Sequence, residues 1–483
     1  MKGSNNAAKW AFASVSAVLA AAGAANAQTP CFGADGPDVI VGDITGPANY
    51  NIDATKQRDA FSLGTTSCNM GRAPLLWIAE NNQHPVIGGA IYKMKNGRFE
   101  QLGFSWLKHG FFALSQNLCC SPCSSTDGNT LGVRCSDPYT ASRNGTQGNL
   151  GPRWQVNATT GHYVYPPANP SYSGNSARRV QVKLSDLEPS SANVIYIGEA
   201  QYITPDDAMA GNGVNNVSWR RMTMVDSGGA TGRFSAAYSG STVRQQAAVQ
   251  AWRNFDPTVD LATVDVPADG RYWIGSKVTD NGDGTWSYEY AVQNINSDRS
   301  GYSFSIPLAD GVVVTDIGFH DVDYLDGDGI PTNPANPNGT ARNFDGTDWT
   351  GVVSNGSITW SVAQTHAENT NANALRWGTL YNFRFRANVG PNPDQGSGEL
   401  GLFKPAAGQP NSVVIDSINI PGELECAPCA ADYDRDGGVT GTDIASFFAD
   451  YETGAACADV DLDGGVTASD LAVFFSLYEA GGC

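Results

Sequence analysis

"DYDRDGGVTGTDIASFFADY" at residues 432–451 and "DVDLDGGVTASDLAVFFSLY" at residues 459–478 are one pattern written twice. In each copy acids stand at positions 1, 3, 5 and 12 of a twelve-residue loop. These are Asp432, Asp434, Asp436 and Asp443, then Asp459, Asp461, Asp463 and Asp470. Carboxylates this close repel one another, and oxygen ligands at this spacing are what a flexible Ca²⁺ loop requires. Position 6 is Gly437 or Gly464, where such a loop turns sharply and needs conformational freedom. Position 7, Gly438 or Gly465, is expected to offer a backbone carbonyl, and position 9, Thr440 or Thr467, to hold a ligand water. Val439 and Val466 at position 8 suit a short strand contact between the two loops. Two bound Ca²⁺ are therefore expected, Mg²⁺ being disfavoured because it demands a tighter octahedron.

After each loop the spacing predicts an amphipathic helix. Ile444, Phe447, Phe448 and Tyr451 fall at i, i+3, i+4 and i+7, and Leu471, Phe474, Phe475 and Tyr478 repeat that stripe. The two stripes together form a core that neither repeat buries alone. Only "CAPCAA" precedes the first loop and "ETGAACA" the second, too little for an entering helix. The units are loop–helix, and an ordinary helix–loop–helix EF-hand is the wrong template.

This arrangement resembles the dockerin module, in the variant that ends in Gly-Cys and is found on exported bacterial proteins. The resemblance covers residues 426–483. It implies two Ca²⁺ and a docking or anchoring partner, either cohesin-like or at the cell surface. Contacts at loop positions 10 and 11 would here come from Gly441, Thr442, Ala468 and Ser469. A pseudo-twofold pairing of the repeats brings their ends together. Cys483 is then expected to bond to Cys426 or Cys429, with Cys457 bonded to the other.

The rest of the chain sets the context. Its net charge is −19, and eleven acids against one base (Arg435) between Cys426 and Cys483 carry about half of it. An acidic surface disfavours nucleic acid and anionic lipid as partners. Residues 1–27 read as a signal peptide, with Lys2 and Lys9, an Ala-rich apolar run and "ANA" at 25–27, so that the mature chain begins at Gln28. No later run has the length of a membrane helix. An exported, surface-retained protein follows, and its ten cysteines are expected as disulfides. Cys119, Cys120, Cys123 and Cys135 also number enough for a metal site, but the oxidising context favours bridges.

The body reads as mainly β, a sandwich or jelly-roll-like fold. Residues 28–140 form a Cys-rich β region, 141–178 a Gly/Pro/Asn-rich connection and 179–425 a sandwich-like domain. Alternation marks strands at "TWSYEYAV", "YNFRFRA" and "VVIDSINI", with "NGDG" at 281–284 as a hairpin turn. The one helix expected is at residues 241–252. "GRFEQLGFSWLKHGFF" (97–112) and "NALRWGTLYNFRF" (373–385) resemble stretches of exported bacterial proteins of unassigned activity. "HDVDYLDGDG" (320–329) is either a further Ca²⁺ site or a solvated polar loop, the latter favoured. The five histidines show no metal spacing, and no nucleophile elbow, HExxH, Walker loop or dinucleotide fingerprint occurs. No catalytic residue is assigned. The body is read as a binding or structural domain, with carbohydrate as its candidate ligand. The alternative is a polysaccharide-active hydrolase carried by the tail.

Overall fold

Strand formation in the body follows from alternation that is satisfied on both sides. In the strand Trp286–Asn294, Tyr288, Tyr290 and Val292 point one way and Glu289, Ala291 and Gln293 the other. It pairs antiparallel with Arg271–Asp280 across the 281–284 turn, where Gly282 and Gly284 have φ of 74° and 82°. On its other side it pairs with Leu380–Ala387, which sets Tyr290 opposite Phe383 and Tyr288 opposite Phe385. The computed structural model describes residues 31–483, apart from 32, 170–173, 230–231, 334–335, 337, 339–341, 424–425, 428 and 483. The expected signal peptide lies outside the described residues.

Four main antiparallel sheets build the body. The first joins Val39–Asp53, Arg58–Asn69 and Val180–Lys183, with Ser136–Tyr139 beside Arg58–Asn69. The second has seven strands. Its centre is Ile195–Ile203, flanked by Val86–Lys95 and Val217–Gly229. Within residues 141–178, Leu150–Gly151 form an edge strand of the second sheet beside Leu107–His109. The third sheet holds the strands just described, and the fourth centres on Gly301–Pro307 between Ser357–Ser361 and Gly396–Leu402.

The layers stack through apolar faces. Val39, Phe61 and Val182 of the first sheet meet Ile91, Tyr196 and Met222 of the second. The third and fourth sheets close on an aromatic core in which Phe383 lies 4.8 Å from Phe304 and 5.5 Å from Trp360 between ring centroids. The second face of the seven-stranded sheet packs toward the third sheet, with one helix, Ala248–Phe255, at the seam. Gly275 lets the two approach, since a Cβ there would stand 2.8 Å from the Trp252 ring.

That helix corrects the expectation of one over residues 241–252. Residues before it are drawn into the sheets instead. Val243 bridges Trp219, Arg244 Nε donates to Gly42 O at 2.6 Å, and Gln245 takes a φ of 56°. Sheet hydrogen bonds thus override the local helical pattern until Ala248.

The body cysteines form disulfides: Cys31–Cys120, Cys68–Cys119 and Cys123–Cys135. Cys68–Cys119 ties the 110–135 loop to the strand Arg58–Asn69, Cys31–Cys120 ties it to the segment before the first strand, and Cys123–Cys135 closes within the loop. Closing such loops restricts the unfolded chain.

Alternation makes a direct test possible. Phe383→Ala removes a fully buried ring and is expected to cost about 3–5 kcal/mol. Val414→Ala, on the 56% exposed face of its strand, should stay within about 0.5 kcal/mol. Denaturant midpoints of the two variants check the difference.

Candidate metal centre

The duplicated sequence produces a duplicated geometry. In the first loop Asp434 N–H donates to Asp443 Oδ1 at 3.0 Å and Thr440 N–H to Asp443 Oδ2 at 2.7 Å. In the second, Asp461 N–H donates to Asp470 Oδ1 at 3.1 Å and Thr467 N–H to Asp470 Oδ2 at 2.7 Å. Gly437 N–H reaches Asp432 and Gly464 N–H reaches Asp459, the glycines turning with φ of 88° and 93°. Only a residue without Cβ adopts that conformation cheaply.

The loops gather their acids. One carboxylate oxygen from each of Asp432, Asp434 and Asp436 lies within 4.8 Å of the others, and Asp459, Asp461 and Asp463 form a second such triad. An all-oxygen, triply anionic donor set fits a hard divalent cation such as Ca²⁺. Without a cation the same carboxylates face one another across a few ångströms and repel.

The other expected ligand positions fall in the turns and at the starts of the two helices. Thr440 and Thr467 cap the helices Gly441–Thr453 and Ala468–Ala480, their hydroxyls accepting from Thr442 and Ser469 N–H. Asp443 and Asp470 are buried and complete the capping boxes. Burial pushes these carboxyls up, but the backbone N–H bonds outweigh it and hold both below the usual range. Gly438 and Gly465 follow the turn, donating to Asp436 and Asp463. Gly441, Thr442, Ala468 and Ser469 are exposed at the helix starts.

One stacked pair holds the two units together. Phe447 and Phe474, both fully buried, lie 3.9 Å apart with rings 3° from parallel. Phe448 and Phe475 meet at 6.1 Å beside them. Tyr433 closes the edge and was missed in the sequence stripe because it belongs to a loop. Its ring stands 5.5 Å from Phe447 and its hydroxyl donates to Asp450 at 2.9 Å. Among the described residues no β-bridge joins Val439 to Val466, and Val466 packs into the aromatic core instead. Cys426 bonds to Cys457, half of the expected clasp, and Cys429 is also disulfide-bonded. The Cys483 end of that clasp lies outside the described residues.

The acids of residues 320–329 are spread, not gathered. Asp323 pairs with Arg58 and Lys183, Asp326 with Lys56, and Asp321 accepts from Asn373. Asp328 turns inward onto Trp106 Nε1 at 2.6 Å. His84 and His109, 25 residues apart, share a ring-to-ring hydrogen bond of 2.9 Å, and burial pushes His109 down to about 3. Among the described residues no helix is long and apolar enough to cross a membrane.

The chain matches no family model, and no curated protein is significantly similar to it. The class that the geometry defines is a mainly β, disulfide-bonded protein with two C-terminal acidic loop–helix units.

Because both loops rest on the Phe447–Phe474 stack, Phe474→Ala is expected to weaken Ca²⁺ binding at both loops, by tenfold or more. Calorimetric titration of the full chain, resolving two sites, checks this.

Proposed function

We propose that residues 426–483 are a dockerin-like module that binds two Ca²⁺ and anchors an exported β-rich body. Its partner is cohesin-like or part of the cell surface, and the body serves as a binding or structural domain. One observation carries the reading: two three-carboxylate triads stand in register, each leading into a helix, with the helices joined by one aromatic stack. Four disulfides among the described residues fit maturation in an oxidising, extracytoplasmic compartment. Asp432, Asp434 and Asp436, with Asp459, Asp461 and Asp463, are the proposed side-chain ligands. Gly438, Gly465, Thr440, Thr467, Asp443 and Asp470 complete the two shells through a carbonyl, a water and a twelfth-position carboxylate. Metal binding and folding of so small a core are then linked.

Chelation of the full chain with EDTA is expected to remove helical ellipticity and expose the tail to protease, while the body's near-UV signal stays. Asp432→Ala and Asp459→Ala should each abolish one ion and weaken the other. An unchanged tail in EDTA, or two intact sites in either variant, contradicts the proposal.

A further inference from the structure

Two stretches noted in the sequence, residues 97–112 and 373–385, meet between the second and third sheets. Gln101 Nε2 donates to Gly378 O at 3.2 Å, and Leu380 N–H donates to Gln101 Oε1 at 2.7 Å. Beside this junction lies a cleft walled by Phe104, Arg153, Trp154, Phe344, Arg376 and Trp377. It is narrow, with a cavity volume of about 40 Å³. A ligand therefore enters by a small end group.

The walls hold two buried cations. Arg153 is 8% exposed and Arg376 is 9% exposed. Aromatic rings cover their faces: Arg376 lies 3.7 Å from the Phe344 centroid, and Arg153 lies 5.0 Å from Phe104 and 5.1 Å from Trp377. Their edges are only partly used, and only by neutral carbonyls. Arg153 Nε donates to Ser105 O at 2.9 Å and its Nη2 to Gly89 O at 3.5 Å. Arg376 Nη2 donates to Thr370 O and Ala372 O, while its buried Nε has no acceptor.

Neither guanidinium has a carboxylate at ion-pair distance among the described residues. The acids on the cleft wall are engaged elsewhere. Asp298 pairs with Lys404 at 3.0 Å, and Asp328 accepts from Trp106 and from the Leu325 N–H. Asp328 and Glu199 act on Arg153, and Asp298 and Asp328 on Arg376, only at longer range, each already bonded to other groups. Burial pushes Arg153 down only to about 10, so it stays charged at neutral pH. A desolvated cation with no directly bonded counter-charge is costly, and unused guanidinium N–H groups suit a planar oxyanion.

We propose that this cleft is a binding site for the carboxylate of a small organic acid, of which an acidic sugar is the type. The carboxylate takes the unused Nη1 groups of Arg153 and Arg376, and the attached ring lies beside the half-buried Trp154. The site is independent of the calcium reading of the tail, so chelation leaves it intact.

Calorimetry of the full chain with sodium glucuronate, benzoate, glucose and inorganic phosphate tests it, with tryptophan fluorescence as a second readout. Glucuronate is expected to bind, at about millimolar affinity or better, and glucose not to bind. Arg376→Gln should lower glucuronate affinity at least tenfold with an unchanged far-UV spectrum. If that variant does not fold, Lys404→Gln on the cleft wall should lower it several-fold. Absence of carboxylate binding to the wild-type chain overturns the proposal. So does equal binding of glucose, tighter binding of phosphate than of either acid, or affinity that the folded variants leave unchanged.

Discussion

At the seam of the body, the Glu199 carboxylate is held by three groups that the chain supplies from three places. Tyr92 OH donates to it at 2.8 Å from the neighbouring strand, and Ala248 N–H at 2.6 Å from the start of the seam helix. Gln293 Nε2 reaches it from the third sheet at 2.8 Å. Burial pushes this carboxyl up, and the donated hydrogen bonds counter that rise. A buried polar network of this kind is stable only when every member is satisfied. Meeting that requirement fixes where the helix begins and how the seven-stranded sheet meets its neighbour.

The same constraint explains polar residues inside strands. Gln101 lies two residues beyond Phe99 and Gln201 shares its strand face with Ile197 and Ile203, and both are buried and bonded across the seam, Gln201 to Ile295 O at 2.8 Å. A sheet covered on both faces has no solvent side, so its polar side chains serve as connectors. Arg153 and Arg376 differ from these connectors. They too are buried, but their donors outnumber the acceptors around them, which leaves N–H groups at the cleft unused.

The tail is built on a different balance. Its acids oppose folding, and its aromatic stack and capping boxes favour it. Asp443 and Asp470 serve the second side by binding backbone N–H groups at the helix starts, in the position where the negative end of a side chain is most favoured. The triads serve the first side, and a cation reverses their sign from repulsive to cohesive.

What the sequence by itself determined is what depends on near neighbours. The twelve-residue loops, the two helices with their Phe447 and Phe474 faces, the 281–284 turn and the alternating strands all rest on spacings of a few residues. The two acid triads of the tail were legible for that reason, whereas the capping use of Thr440 and Thr467 needs the helix starts in space. Tertiary structure alone decided the rest. The helix at Ala248 moved because its leading residues found sheet partners. The pairings of the body cysteines, the two covered faces of the central sheet and the cleft that Arg153 and Arg376 both line join residues far apart in the chain, as Gln101 and Leu380 show across 279 positions. Such contacts have no local signal, because each is set by how whole sheets bury their faces against one another.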